Sequence, residues 1–104
     1  MTLQTQWNAV YPDRPLTPAD SAEQFRQRVI MAAVITAINV GTEAVNTPNH
    51  TNRTALAKAV STNPIGFMEP FALMLAAENL DNASTDVQIT NMLAAVWNTM
   101  AGAL

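Results

Sequence analysis

The sequence predicts an all-α fold: a compact four-helix bundle-like domain over residues 17–104, preceded by an extended N-terminal arm over residues 1–16. Three observations carry this. Apolar residues recur at spacings of three and four, and no stretch alternates at period two, so helices are expected and strands are not. Cap signals that include proline stand at Thr17-Pro18, Thr47-Pro48 and Asn63-Pro64, and a capping box stands at Thr85-Asp86-Val87-Gln88. The breaks between these helices are short, which suits a bundle. A chain of 104 residues is one domain, long enough for a modest core without disulfides.

In the arm, Pro12 and Pro15 bias their neighbours to extended backbone, and no helical period runs through it. It nevertheless carries Trp7, Val10, Tyr11 and Leu16. An arm with such anchors either straps its own core or reaches a neighbour, and the sequence leaves both open. Helix one is expected from Thr17-Pro18-Ala19-Asp20 through Phe25 and residues 29–40, weakening at Gly41 and ending near Asn46. Its first turns place Glu23, Arg26 and Arg28 for water. Residues 29–40 (VIMAAVITAINV) contain no charge, so the second half passes into the centre of the molecule.

Helix two is expected from Thr47-Pro48 to about Ser61, burying Ala55, Leu56, Ala59 and Val60 and exposing Arg53 and Lys58. Asn63-Pro64 caps helix three, where Phe67, Phe71, Met74, Leu75 and Glu78 follow helical spacing. Pro70 falls inside it and removes one backbone hydrogen bond. Of the two solutions, a kink or a helix starting at Pro70, the second is the expectation. Helix four follows the capping box with a stripe of Ile89, Met92, Leu93, Val96, Trp97 and Met100, and Gly102 ends it.

Only 12% of residues are charged, against about 25% in ordinary soluble domains. Asn and Thr supply the polar surface instead. The net charge of −3 and five scattered bases (Arg14, Arg26, Arg28, Arg53, Lys58) argue against nucleic acid and against an anionic membrane. Residues 29–40 are too short for a membrane span, which needs about 20 residues. The first fifteen residues have neither a basic start nor an apolar segment, so no signal peptide is read and a cytosolic, soluble origin is expected. The glycosylation patterns at Asn49, Asn52 and Asn82 are then accidental.

No catalytic, cofactor-binding or metal-ligating residues are expected, and no small-molecule substrate. The absence of cysteine removes thiolate sites. His50 is the only histidine, and its local sequence supplies no acid to orient it. It and Arg53 are expected on the first turn of helix two, hydrogen-bonded to a neighbouring loop. The acids include no Glu-x-x-His pair and no calcium-loop ladder. Asp20 and Asp86 read as first-turn helix acids, and Glu78 as exposed rather than paired with Arg26 or Arg28. Three glycines make no phosphate loop. Met31, Met68, Met74, Met92 and Met100 are core filler, or in part an adaptable interface.

Three blocks resemble small all-α structural proteins of tailed-bacteriophage virions. They are Phe25-Arg26-Gln27-Arg28-Val29 running into an alanine-rich helix, then Asn49-His50 with Arg53 and Ala57, then Asp86-x-Gln88-Ile89 continuing to Val96-Trp97-Asn98. The similarity covers roughly residues 20–100. It implies a head–tail connector, neck, tail or capsid-decoration component, located in the virion and in the host cytoplasm before assembly. It supplies no catalytic residues. The expected partners are other virion proteins and a second copy of the chain in a symmetric homo-oligomer, with Trp7, Tyr11, Leu16, His50 and Arg53 as the candidate interface. The rival reading is a small helical adaptor that stays monomeric and binds one partner helix in a groove lined by Met74, Met92 and Met100. An enzyme or metal protein built on His50 and a distant carboxylate ranks below both, and a nucleic-acid role last.

Overall fold

The structure is a computed structural model, and the residues it describes are Thr5, Ala9 and residues 21–103. Among them are four helices and no strand: α1 (Ser21–Gly41), α2 (His50–Thr62), α3 (Pro64–Ala77) and α4 (Asp86–Ala103). The all-α bundle predicted from the sequence is what forms. Of residues 1–16, Thr5 and Ala9 alone are described; both are exposed, with helical backbone where the sequence reading gives extended chain. Trp7, Tyr11, Leu16 and the Thr17-Pro18 cap lie outside the described residues.

Helix α1 is the axis on which α2, α3 and α4 pack. Its uncharged half explains the role: Val29, Ile30, Ala32 and Ala33 are completely buried, and Val40 nearly so. The helix stops at Gly41 rather than near Asn46. There the Thr42 hydroxyl donates to the Asn39 carbonyl at 2.8 Å, and the amides of Thr42 and Glu43 close tight turns on Asn39 and Val40. Local bonds of this kind compete with the helical ladder.

Helix α2 starts at His50, two residues beyond Pro48. The Thr47 carbonyl accepts from the His50 amide at 3.0 Å, making a turn, and Asn49 sits in the left-handed region at φ 59°, which asparagine tolerates better than most residues. The buried face is Leu56, Ala57 and Val60, while Ala55 and Ala59 are exposed. This differs from the sequence reading by a rotation about the helix axis. Arg53, Leu56, Ala57 and Val60 stand at i, i+3, i+4 and i+7, so the inward face is the one that carries Arg53.

Helix α3 runs unbroken through Pro70, against the expectation that it starts there. The Asn63 side chain accepts from the Gly66 amide at 3.2 Å and fixes the first turn at Pro64. Pro70 deprives only the Gly66 carbonyl of its partner. Both residues are exposed, so water can serve that carbonyl and the helix survives. In α4 the capping box is reciprocal: the Thr85 amide donates to Gln88 Oε1 at 2.8 Å, and the Gln88 amide to Thr85 Oγ1 at 3.1 Å. Ile89, Leu93, Trp97 and Ala101 then face inward at four-residue intervals. Phe67, Phe71 and Trp97 form a stacked row, with centroid separations of 5.7 and 6.2 Å, that joins α3 to α4.

Candidate functional site

Two arginines that the sequence assigns to water are engaged inside the fold. Arg28 is buried, a correction to its expected exposure. Its guanidinium donates to the Asn82 carbonyl at 2.8 Å, the Ser84 carbonyl at 2.6 Å and Asp86 Oδ1 at 2.7 Å. Asn82 also donates to Gln24 Oε1 at 3.0 Å. One side chain of α1 therefore holds the second half of the α3–α4 loop, from Asn82 to Asp86. An arginine suits this because its planar fork satisfies several acceptors at once. Asp86 is a first-turn helix acid, as expected, and serves also as Arg28's partner. Glu78 is exposed, as the sequence suggests.

Arg53 is the second tie. His50 and Arg53 do occupy the first turn of α2. Arg53 grips Glu43 of the α1–α2 loop with both ends of its fork, at 2.6 and 3.0 Å, and reaches Asn98 of α4 with its remaining nitrogen. Asn52 adds a bond to the Ala101 carbonyl at 3.1 Å. Glu43, Thr47, Pro48, Asn49, Arg53 and Asn98 line a shallow polar cavity of about 380 Å³ beside this tie. The hydrogen bonds from Arg53 hold the Glu43 carboxyl below its ordinary value against the opposing effect of burial, with the charges of Arg53 and His50 helping. Reciprocally, Glu43 raises Arg53. A carboxylate held this way is a weak base at neutral pH. His50 is half-buried, and its Nδ1 has no partner among the described residues. Sequence reasoning found His50 and Arg53 but missed Glu43, ten residues before Arg53 in the adjoining loop, and Asn98, 45 residues after it, which meets Arg53 only through the fold.

A third feature is apolar. Helices α3 and α4 turn Phe71, Leu75, Leu93 and Trp97 toward the core, so the residues flanking them form the walls of an outer cleft. Met74, Ala77, Glu78, Met92, Val96 and Met100 line this cleft of about 550 Å³. Met92 and Ala95 also line a second depression of about 410 Å³ beside Asn79, Leu80, Ser84 and Gln88. The three methionines are half-buried, packed on the core by one side and open on the other. They are the three that the adaptor reading places around a groove.

Among the described residues, no group of three or more His, Asp or Glu side chains could hold a metal ion, and no helix is long and apolar enough to cross a membrane. No protein family, no curated protein and no solved structure matches this chain. The functional reading accordingly stands on the sequence blocks and on the surfaces just described.

Proposed function

We propose that this chain is a non-enzymatic structural subunit that acts by packing against other protein chains, a second copy of itself included. This is the role implied by the resemblance to tailed-phage virion components, and a place in the virion belongs to the same proposal. The observation that supports it most is the distribution of charge. Arg28 pairs with Asp86, Arg53 with Glu43, and Arg26 with Glu23 at 3.8 Å. The exposed charged residues among those described are Lys58, Glu69, Glu78 and Asp81. The chain thus ties six of the ten charged residues among those described to one another. It also exposes Ile38 (62%), Leu73 (63%), Val87 (68%) and Val45 (84%).

Depletion of charge marks the central part of protein interfaces, and a weakly charged exterior favours association over dispersal. Analytical ultracentrifugation from low to high micromolar concentration tests the reading. The expected result is a concentration-dependent species heavier than one chain. A single monomeric boundary throughout would remove self-assembly.

The methionine cleft favours a second reading, the adaptor. Its occupant would be one amphipathic partner helix whose apolar face meets Met74, Met92 and Met100. Flexible thioethers adapt to such a face. This reading predicts the monomeric boundary that the first excludes.

A further inference from the structure

We propose that the chain's own residues 1–16 occupy the cleft between α3 and α4 of the same molecule, with Trp7 and Tyr11 as anchors among the methionines. The inference deepens the adaptor reading, since it rests on that cleft being a docking surface, and it names the first occupant.

The argument begins with where the described chain starts. Helix α1 begins at Ser21, one turn before Gln24, and Gln24 and Arg28 are bonded to Asn82, Ser84 and Asp86 of the α3–α4 loop. Ser84 and Leu80 border the depression that shares Met92 and Ala95 with the methionine cleft. The start of the described helix α1 therefore lies beside the depression that adjoins the cleft. Leu16, Tyr11 and Trp7 precede Ser21 by five, ten and fourteen residues, which allows reaches of at most about 17, 33 and 46 Å. Along α4 the depression and cleft run from Gln88 to Met100, about 18 Å of helix. The anchors can span it with length to spare.

Chemistry agrees with reach. Phe25, Phe71 and Trp97 are buried and Phe67 is packed on the core, which leaves Trp7 and Tyr11 as the chain's remaining aromatic residues. Thioether–ring contacts are favourable. Thr5 and Ala9, the described residues on either side of Trp7, are exposed. Among the described residues that line the cleft, Glu78 is the one that is charged, and the arm carries one base, Arg14, with Asp13 beside it. Tethering supplies an effective concentration in the millimolar range for a short linker, which favours the molecule's own arm over another copy's. A partner helix would then have to displace the arm.

Nuclear Overhauser measurements on the full-length chain with labelled methionine methyls test this, resonances being assigned by Met74→Leu, Met92→Leu and Met100→Leu. The expected result is cross-peaks from the Trp7 indole to the Met92 and Met100 methyls that do not vary with concentration. Trp7→Ala should abolish them and shift both methyls while leaving the buried Met31 methyl in place. Absence of the cross-peaks, with all three methyls unmoved by Trp7→Ala, would overturn the inference. So would cross-peaks that arise only between labelled and unlabelled copies in a mixed sample. Ultracentrifugation of the same samples separates this outcome from the assembly reading: an oligomer without the contact sinks the strap alone, and a monomer with it sinks self-assembly alone.

Discussion

Replacing Arg28 with alanine should be the most damaging loss of a polar side chain in this protein. The guanidinium is held by two carbonyls, one side-chain amide oxygen and one carboxylate, all between Asn82 and Asp86. Each hydrogen bond to a charged group contributes about 1.5–3 kcal/mol to stability, but such bonds within one network do not add. The Asp86 side chain is 37% exposed, so water screens the ionic part and the upper end of the range for a broken buried pair is not reached. A loss of about 2–4 kcal/mol follows. Urea unfolding of a small domain has a slope of about 1 kcal/mol/M or somewhat more, so the midpoint should fall by about 2–3 M. The cycle Arg28→Ala, Asp86→Ala and the double variant should give a coupling near 1 kcal/mol, the remainder belonging to the two carbonyls. Arg28→Lys should restore less than half of the loss, because a point charge cannot reach three acceptors in a plane. A loss below about 1 kcal/mol, or full rescue by lysine, would refute the claim that this fork organises the α3–α4 loop.

Other substitutions probe the remaining elements. Trp97→Ala should cost about 3–5 kcal/mol by opening a cavity beside Phe71, and thermal unfolding would register it; Trp97→Phe should cost clearly less, since it also deletes an indole N–H that has no partner among the described residues. Glu43→Gln should flatten the acid side of the stability–pH curve. The Glu43 pKa is lowered in the fold, so its stabilisation is complete above the unfolded carboxyl value of about 4.3 and is lost as pH falls through the lower folded value. The variant should lie below the parent at neutral pH and converge with it in acid, as judged by denaturant titrations at several pH values. Pro70→Ala should raise stability by about 1 kcal/mol, since an exposed helical position regains the bond to the Gly66 carbonyl at some cost in unfolded-state entropy; a lower melting temperature would contradict the reading of an unbroken α3.

The elements that were legible in the sequence are those written in local chemistry. Thr85 and Gln88 are three residues apart and cap α4 with no help from the rest of the fold. The uncharged run from Val29 to Val40 can only be a central helix. What stayed illegible depends on rotation and distance. Arg28 looks exposed because arginines usually are, and nothing near it in sequence reveals that loop carbonyls 54 and 56 residues away await it. Arg53 rotates α2 by meeting Glu43 and Asn98, and so exchanges Ala55 and Ala59 for Ala57 on the buried face. The Pro70 expectation erred for a different reason. It weighed the missing hydrogen bond but not its location, and an orphan carbonyl on a wet face is tolerated.

The same ties bear on what the sequence blocks can say about function. Arg28 of the first block meets Asp86 of the third, and Arg53 of the second meets Asn98 at the end of the last. The residues that carry the virion resemblance are therefore joined to one another across α1, α2 and α4, and their contribution is to hold the bundle together. A fold can host many functions, and function resides in the surface it presents. Here the distinctive surface is formed by Met74 and Met100, which lie outside the quoted blocks, with Met92 in the gap between Ile89 and Val96. Substitutions at Arg28 or Arg53 weaken the whole bundle, so a loss of assembly in them would not tell a lost interface from a lost fold. Met92→Glu alters only the half-open wall of the cleft. It should leave urea stability within about 1 kcal/mol of the parent while removing whatever association depends on that wall. An association that survives Met92→Glu uses another face, and the exposed Ile38 and Leu73 become the positions to change.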